Sequence, residues 1–474
     1  MFWTTLSLTA LASSTGAPTD MGVHMMHTKN PLEVRLHAPP PVPSVGVHTA
    51  TVYGYLQGNA STVSMIDLDS LTHVAWHAVG WDNTGNITGA SSWEAVAPTL
   101  VMNAHAVGTR VHLNLMPENS THVSVLSNPT HRANAVEQLA RLIHDYSADG
   151  ISIDIESMDP SMKEELVLFT QAMQVAVDDV IVATPLVDWN YAYDFDELAA
   201  ASDGLFIMGY DAHGPFEGSG PGPMSMMNAG SVWPHWTLPY SLNEEYRLYG
   251  APDDKIIMGL PLYGAIWDTP SEDYPAITST FNDYWSMSVL LDAEAVYGRR
   301  FEDVSVSAWM WDSDTLRQFW YDDPETLEVK MSWALGEGIQ GIGFWEVSYA
   351  TGEPEFWDIV DDLTMTEEVV DDTAAPEDTG ASSDSGAPSD SGATDDGGST
   401  DEDGSGPDGD GDDAGSTTGT VDGSGEGLDD SEDTGTETTN KGCSCASTRP
   451  SPSGLWLLGG VIGLFIRRRR LTQN

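Results

Sequence analysis

Cysteine is almost absent from this chain of 474 residues. Its two cysteines, Cys443 and Cys445, both lie near the C-terminus, beyond a long acidic segment. The region that can fold before that segment therefore has neither a disulfide bond nor a thiol nucleophile. Cysteine usage accordingly gives no information about the redox compartment of that region.

Basic residues are scarce as well, with 18 Lys and Arg against 73 Asp and Glu, for a formal net charge of −55. Residues 1–370 alone hold 51 acidic and 12 basic residues. Nucleic acid and anionic membrane surfaces would repel such a protein. We therefore exclude both as ligands.

No apolar run reaches the roughly 20 residues that span a bilayer. Residues 454–466 are apolar over 13 positions and precede four arginines, 467–470. Counted back to residue 450, this run is a marginal span whose arginines would remain in the cytoplasm. A second apolar stretch, residues 2–12, indicates a secretory signal peptide within residues 1–18, although it lacks a positive n-region.

Residues 371–440 contain 22 acidic residues and no Lys or Arg, in a background of Gly, Ser, Thr and Pro. Such a composition cannot bury a hydrophobic core and repels itself into an extended chain. We predict a disordered linker over residues 364–441 and a separate tail over residues 442–474.

Between residues 44 and 363, eight short apolar runs alternate with longer, partly helical segments. This order predicts an α/β fold, a (β/α)8 TIM barrel with a parallel sheet. The gap from 265 to 317 is too long for one loop or helix and predicts a small inserted subdomain between strands 7 and 8. The predicted strands are 51–56, 71–79, 110–115, 150–155, 180–184, 204–210, 255–261 and 341–345.

The fourth run reads Asp149-Gly150-Ile151-Ser152-Ile153-Asp154-Ile155-Glu156. Alternate residues of a strand share a face, so Ser152, Asp154 and Glu156 point one way, and the two carboxylates lie roughly 7 Å apart at their backbones. Crowding and desolvation raise the pKa of one such carboxyl, which favours acid/base catalysis. Acidic residues at a strand end can also be a solvated rim or a helix cap, and the pattern alone leaves that alternative open.

Other predicted strands end in polar or aromatic residues, including Tyr210, Asp211, Tyr263 and Trp345. Catalytic groups of TIM barrels collect at the carboxyl ends of the strands. We therefore expect these side chains and the fourth-strand carboxylates to meet at one barrel mouth.

These motifs resemble family 18 of the glycoside hydrolases, the chitinase family, over residues 50–360. Two departures stand out: Ser152 replaces the central acid of the family pattern DGxDxDxE, and residues 113–117 lack the SxGG of typical chitinases. Both make the chain similar to the branch of spore-germination and peptidoglycan-directed N-acetylglucosaminidases. The matching segments are Asp149-Gly150, Asp154, Glu156, Met208-Gly209-Tyr210-Asp211, Gly259-Leu260-Pro261-Leu262-Tyr263-Gly264 and Trp345.

The resemblance implies a secreted or surface-anchored enzyme that cleaves β-1,4-linked N-acetylglucosamine polymers, with the substrate acetamido group as nucleophile. It makes Glu156 the general acid/base, while Asp154 orients the acetamido nitrogen and Tyr210 donates a hydrogen bond to the acetamido oxygen. The remaining residues are expected to contact the substrate: Asp211, Trp345 as the floor under the sugar, Tyr55 and Met208 as walls, and Ser152. No cofactor is expected, and the partner is an N-acetylglucosamine-containing polysaccharide bound by a monomer.

The C-terminal order of Cys-Ser-Cys, spacer, Gly-rich apolar helix and arginine cluster resembles the MYXO-CTERM sorting tail of myxobacterial surface proteins. This resemblance implies export to the cell surface and recognition by sorting and processing machinery. A plain tail anchor remains the alternative, and contact with a membrane is expected only through this tail.

Two other functions remain open. A chitinase-like lectin would keep the groove and its aromatic residues but usually loses the glutamate that stands here as Glu156. A metal-dependent hydrolase is suggested only by 13 histidines, which are scattered and form no HExxH pair, so no metal site is predicted.

Overall fold

The computed structural model describes residues 46–366, apart from residues 119, 217, 276 and 277. The predicted signal peptide, the tail and all of the predicted linker beyond residue 366 lie outside these residues. Met365–Thr366, within the predicted linker, forms a short strand that pairs antiparallel with Val47–His48. Within the described part of the chain, no helix has the length and apolarity needed to cross a membrane.

Eight parallel strands close into a barrel, which confirms the predicted (β/α)8 fold. The first strand pairs with both the eighth and the second, so the sheet has no open edge between them. A two-residue strand, Ile87–Thr88, pairs antiparallel with the end of the second barrel strand. The barrel strands are Thr51–Leu56, His73–Trp81, Arg110–Leu115, Gly150–Ile153, Asp179–Pro185, Gly204–Met208, Ile256–Pro261 and Gly341–Trp345.

Helices follow the strands and cover the outside of the barrel. Lys163–Ala176 is representative, since it buries Leu166, Phe169 and Met173 on the face that packs against the barrel. The α-helices are Ala60–Val63, Ala90–Val107, His122–Leu126, Pro129–Asp145, Lys163–Ala176, Phe195–Ala201, Leu238–Tyr240, Met287–Tyr297, Pro324–Gly336 and Pro354–Thr364. Short 3-10 turns occupy Pro160–Met162, Asp253–Lys255 and Val347–Ala350, and Ser241–Tyr246 is a π-helical turn.

The insertion between the seventh and eighth barrel strands is a five-stranded antiparallel sheet with one helix, Met287–Tyr297. Its outer bounds, Tyr263 to Tyr321, are slightly wider than the predicted gap. It has a small core of its own, in which Ile266, Leu290 and Phe319 are buried. In spatial order its strands are Thr280–Ser286, Tyr263–Asp268, Arg317–Tyr321, Ser307–Asp312 and Arg300–Glu302.

Candidate active site

The fourth strand delivers both predicted carboxylates to the carboxyl end of the barrel. The regular strand ends at Ile153, and the Asp154 amide then donates a 2.9 Å hydrogen bond to the carbonyl oxygen of Leu115 on the third strand. Asp154 is completely buried, whereas Glu156 keeps 4% of its surface exposed. The two acids therefore lie at different depths, with Glu156 nearer to solvent.

A cleft of about 1240 Å³ opens above this strand end. Glu156, Met208, Tyr210 and Asp211 line it, so four of the predicted site residues meet there. Its described lining residues all follow Glu156 in the sequence, which places the cleft on the side of the fifth and sixth strands and the insertion. Besides Tyr210, the aromatic residues that line it include Trp189, Tyr193, Phe216, Trp233 and Trp236.

Asn114 holds the Asp154 carboxylate and is itself bonded to His77, and neither residue was among those predicted from the sequence. The Asn114 side-chain amide donates to Asp154 Oδ2 at 3.3 Å and to His77 Nδ1 at 2.8 Å. Asn114 is fully buried between Leu113 and Leu115 on the third strand. A polar residue within an apolar strand is the sequence signal that could have identified Asn114. The signal does not identify its partners, because they lie on two other strands.

Ser152, Tyr55 and Trp345 lie beneath the cleft and are not among its described lining residues. All three side chains are buried, and the hydroxyl oxygens of Ser152 and Tyr55 form a 2.9 Å hydrogen bond. The Trp345 ring packs 5.3 Å from the Tyr55 ring and 4.8 Å, edge to face, from that of His77. These residues pack inside the barrel beneath the carboxyl end of the fourth strand.

Tyr210 stands beside both acids at the end of the sixth strand. Burial raises the pKa of its phenol well above the usual value, and its electrostatic interactions with Tyr55, Asp154 and Glu156 raise that pKa further. The Tyr210 hydroxyl therefore remains protonated near neutral pH and can donate a hydrogen bond.

Asp211, the next residue, is buried and receives a 2.5 Å hydrogen bond from the Tyr263 hydroxyl at the start of the insertion. Its φ of 54° lies in the left-handed region, which Asp adopts more readily than most residues. Burial raises the pKa of Asp211 to about 7, although the Tyr263 hydrogen bond opposes that shift. Asp211 is thus a carboxyl that changes charge near neutral pH.

Among the described residues, one group brings metal-binding side chains together: His73, His112 and Asp179, whose candidate ligand atoms lie within 4.8 Å of one another. They come from three strands near the amino end of the barrel, opposite the cleft, so sequence spacing could not reveal them. Asp179 Oδ2 lies 3.2 Å from His73 Nε2 and also accepts from the Arg110 guanidinium. That cation compensates the buried carboxylate, and we interpret the group as an ionic network.

We expect Asp179→Asn to lower the free energy of unfolding by about 1–2 kcal/mol at pH 7, because it removes a charged acceptor from that network. Burial raises the pKa of Asp179, but hydrogen bonds and charges from His112 and His73 outweigh it and hold that pKa well below its usual range. The ionised Asp179 therefore stabilises the folded state at pH values above about 4, the pKa of Asp in the unfolded chain. That stabilisation is lost as the pH falls through the pKa of Asp179 in the folded chain.

Denaturant melts at several pH values measure this effect. The difference in free energy of unfolding between wild type and Asp179→Asn should become smaller below about pH 4. Asp178→Asn is the matched control, since Asp178 is the exposed neighbour of Asp179. A difference that stays constant down to acidic pH would contradict the electrostatic explanation.

Comparison with known proteins agrees with this geometry. The sequence profile of "Glycosyl hydrolases family 18" matches residues 51–350. "Chitinase 1" of Aphanocladium album is 27% identical over 244 residues, which cover 47% of this chain and 57% of that protein. The "Putative sporulation-specific glycosylase YdhD" of Bacillus subtilis is 25% identical over 240 residues, which cover 47% of this chain and 53% of that protein.

The chain thus spans little more than half the length of these two relatives. The crystal structure of a GH18 chitinase from Cycas revoluta in complex with (GlcNAc)3 has the same fold, with a TM-score of 0.59 and 18% identity over 66% of this chain and 99% of that one. The family profile covers well over half of the chain, and the protein belongs to family 18 of the glycosyl hydrolases.

Proposed function

We propose that this protein hydrolyses β-1,4-linked N-acetylglucosamine polymers, chitin or peptidoglycan, with retention of configuration. The observation that carries the proposal is the placement of Glu156 in the cleft, beside the Tyr210 phenol and above the buried Asp154. One carboxyl that can act as both acid and base suits a mechanism in which the substrate supplies its own nucleophile.

In this mechanism Glu156 protonates the glycosidic oxygen as the bond to the leaving sugar breaks, and later deprotonates the attacking water. The acetamido oxygen of the bound sugar attacks the anomeric carbon and forms an oxazolinium ion. Asp154 lies below Glu156 and is oriented by Asn114, so its carboxylate can stabilise the developing positive charge on the acetamido nitrogen.

Tyr210 and Asp211 complete the polar side of the site. The protonated Tyr210 hydroxyl can donate to the acetamido oxygen and hold it in line with the anomeric carbon. Asp211 contacts a sugar hydroxyl, and its charge depends on pH near neutrality. Met208 is an apolar wall of the same cleft.

Features of the sequence support a preference between chitin and peptidoglycan. Ser152 and residues 113–117 favour the branch directed at peptidoglycan, and the relatives include a sporulation-specific glycosylase as well as a chitinase. We place peptidoglycan first on this basis. Export to the cell surface, expected from residues 442–474, is part of the same proposal.

Product analysis tests the function directly. Digests of N-acetylglucosamine oligomers and of purified peptidoglycan should yield fragments whose new reducing ends first appear as the β-anomer, because two displacements at the anomeric carbon retain its configuration. Proton NMR recorded during the first minutes of reaction identifies the anomer.

An initial α-anomer would contradict the acetamido-assisted mechanism. Binding of oligomers without any turnover would instead favour the chitinase-like lectin. The ratio of rates on the two polymers decides the substrate: peptidoglycan should be cleaved faster than chitin at equal concentration of N-acetylglucosamine units, and the reverse order would make chitin the substrate.

A further inference from the structure

Two histidines and an aspartate from three different strands meet at the amino end of the barrel. His73 is the first residue of the second strand, His112 is the third residue of the third strand, and Asp179 is the first residue of the fifth. Their candidate ligand atoms lie within 4.8 Å of one another. His112 is completely buried and Asp179 is nearly so, which means that the barrel itself fixes the geometry of this group.

The separations in this group match those of ligands on a tetrahedral zinc ion. Asp179 Oδ2 lies 3.2 Å from His73 Nε2 and 3.6 Å from His112 Nε2. Nitrogen and oxygen ligands bind zinc at about 2.0–2.1 Å, so two ligands of one tetrahedral ion stand about 3.3–3.4 Å apart. The two measured separations lie on either side of that value. Small side-chain shifts therefore suffice for all three groups to bind one ion.

Both imidazole rings are oriented by hydrogen bonds at their other nitrogen. The Tyr53 hydroxyl lies 3.0 Å from His112 Nδ1, and the Thr72 hydroxyl lies 2.8 Å from His73 Nδ1. Thr72 already donates its proton to the carbonyl oxygen of Val52, so its oxygen accepts from His73 Nδ1. The lone pair of a neutral His73 ring is then on Nε2, which faces Asp179. Histidines that bind metal ions are held in the same way.

Two of the candidate ligand atoms have no hydrogen-bond partner among the residues that the structure describes. They are His112 Nε2 and Asp179 Oδ1, and both are buried. Buried polar atoms in proteins nearly always have a partner. An ion between the three side chains binds His112 Nε2 directly and can take Asp179 Oδ1 as a second carboxylate ligand.

Arg110 supplies the positive charge of the ionic network when no metal ion is bound. Its guanidinium donates to Asp179 Oδ2, but 52% of its side chain is exposed to solvent. Exposed side chains change rotamer rapidly, so Arg110 can turn into water when another cation binds the carboxylate. The His73 side chain is 14% exposed, which gives an ion a route into the group.

We propose that His73, His112 and Asp179 form a zinc site that connects the second, third and fifth strands at the amino end of the barrel. Two imidazole nitrogens and one carboxylate suit Zn²⁺, whereas Ca²⁺ and Mg²⁺ prefer ligand sets made of oxygen. The site lies at the end of the barrel opposite Glu156. Its ion therefore stabilises the fold and takes no part in glycoside cleavage, and the inference does not depend on the proposed function.

Calorimetric titration of the chelator-treated full chain with zinc chloride near pH 7 tests this site. Wild type should bind one equivalent tightly. His73→Gln and Asp179→Asn should each raise the Kd more than about 100-fold, because each removes one of three protein ligands. Thr72→Val keeps the shape of the side chain but removes the hydroxyl that orients His73, and should raise the Kd about tenfold.

Arg110→Gln should change the Kd in the opposite direction. It removes the cation that competes for Asp179, so zinc should bind about fivefold more tightly. Because Arg110 is half exposed, this variant also keeps the test informative if a buried substitution prevents folding. Absence of zinc binding in both wild type and Arg110→Gln would overturn the site and leave only the ionic network.

His105→Gln is the matched control for His73→Gln. His105 also faces an aspartate, with Nε2 2.8 Å from Asp149 Oδ2, but that pair lies at the surface and outside the group. The Kd for zinc should not change in His105→Gln. A loss of binding equal to that in His73→Gln would indicate nonspecific binding by the acidic surface and would overturn the site.

The tail cysteines need a control of their own, since thiolates also bind zinc. A chain that carries both Cys443→Ser and Cys445→Ser should keep the tight equivalent. Zinc binding that is lost in this chain but survives in His73→Gln would overturn the inference.

Denaturant melts check the structural role of the ion. Saturating zinc should raise the unfolding midpoint of wild type and leave that of His73→Gln unchanged, because a ligand that binds only the folded state stabilises it. An unchanged wild-type midpoint would overturn the site. These readouts use no sugar substrate, so they are decided whether or not the proposed hydrolysis is observed.

Discussion

Replacing Glu156 by Gln is expected to reduce kcat on N-acetylglucosamine oligomers by about 10²–10⁴, the range contributed by a positioned general acid/base. Glutamine has nearly the same shape and can still accept a hydrogen bond, but it cannot transfer a proton to the leaving oxygen. KM should change little, because Glu156 is only 4% exposed and its side-chain volume is kept. Initial rates on a chromogenic oligomer measure both constants.

Glu164→Gln is the matched control for this variant. This substitution makes the same chemical change at an exposed residue, in the first turn of the helix that follows the fourth strand. It should retain wild-type activity. If Glu156→Gln and wild type hydrolyse the oligomer at the same rate, Glu156 is not the proton donor.

The barrel could be predicted from the sequence because parallel strands that are buried on both faces appear as short apolar runs. Strand ends were less accurate: the second strand is His73–Trp81 rather than 71–79, and the fourth ends at Ile153 rather than 155. The fourth-strand alternation continues to Glu156, whereas the regular strand ends at Ile153 and the amide of Asp154 still bonds to the third strand. Alternation records which face a residue points to and carries no information about where pairing stops.

The insertion illustrates a second limit. Its existence followed from the length of the gap, whereas its five strands did not follow from the pattern. Thr280–Ser286, at the edge of the inserted sheet, mixes exposed and buried residues without a regular period. Short antiparallel strands of this kind have weak signals because packing against neighbours decides their burial.

The site shows the same division between local and distant information. Glu156 and Asp154 could be predicted because both lie in one segment of the sequence, the fourth-strand motif. Tyr210 and Asp211 could be predicted because they follow the sixth strand directly. Asn114 and His77 were missed because the hydrogen bonds of Asn114 to Asp154 and to His77 join three strands that only the closed barrel brings together. The ionic network around Asp179 was missed for the same reason.

Asp211→Asn is expected to stabilise the fold at pH 8 while it lowers activity. Burial raises the pKa of Asp211 to about 7 in the folded chain, whereas an unfolded Asp titrates near 3.9. Folding therefore takes up a proton between about pH 4 and 7, so the stability contributed by this group is present below pH 4 and is lost as pH rises through 7. Asparagine remains uncharged at every pH. The free energy of unfolding of Asp211→Asn should therefore exceed that of wild type by about 2–4 kcal/mol at pH 8.

Thermal or denaturant melts of wild type and Asp211→Asn at pH 4 and pH 8 measure this difference. Asparagine keeps an oxygen that can accept the Tyr263 hydrogen bond, so the two proteins should have similar stability at pH 4. Asp254→Asn, at an exposed position, should show no gain at either pH. Gained stability together with lost turnover is the pattern expected where a buried charge is kept for function rather than for folding. An Asp211→Asn chain that is less stable at pH 8 would mean that contacts around the carboxylate outweigh its desolvation.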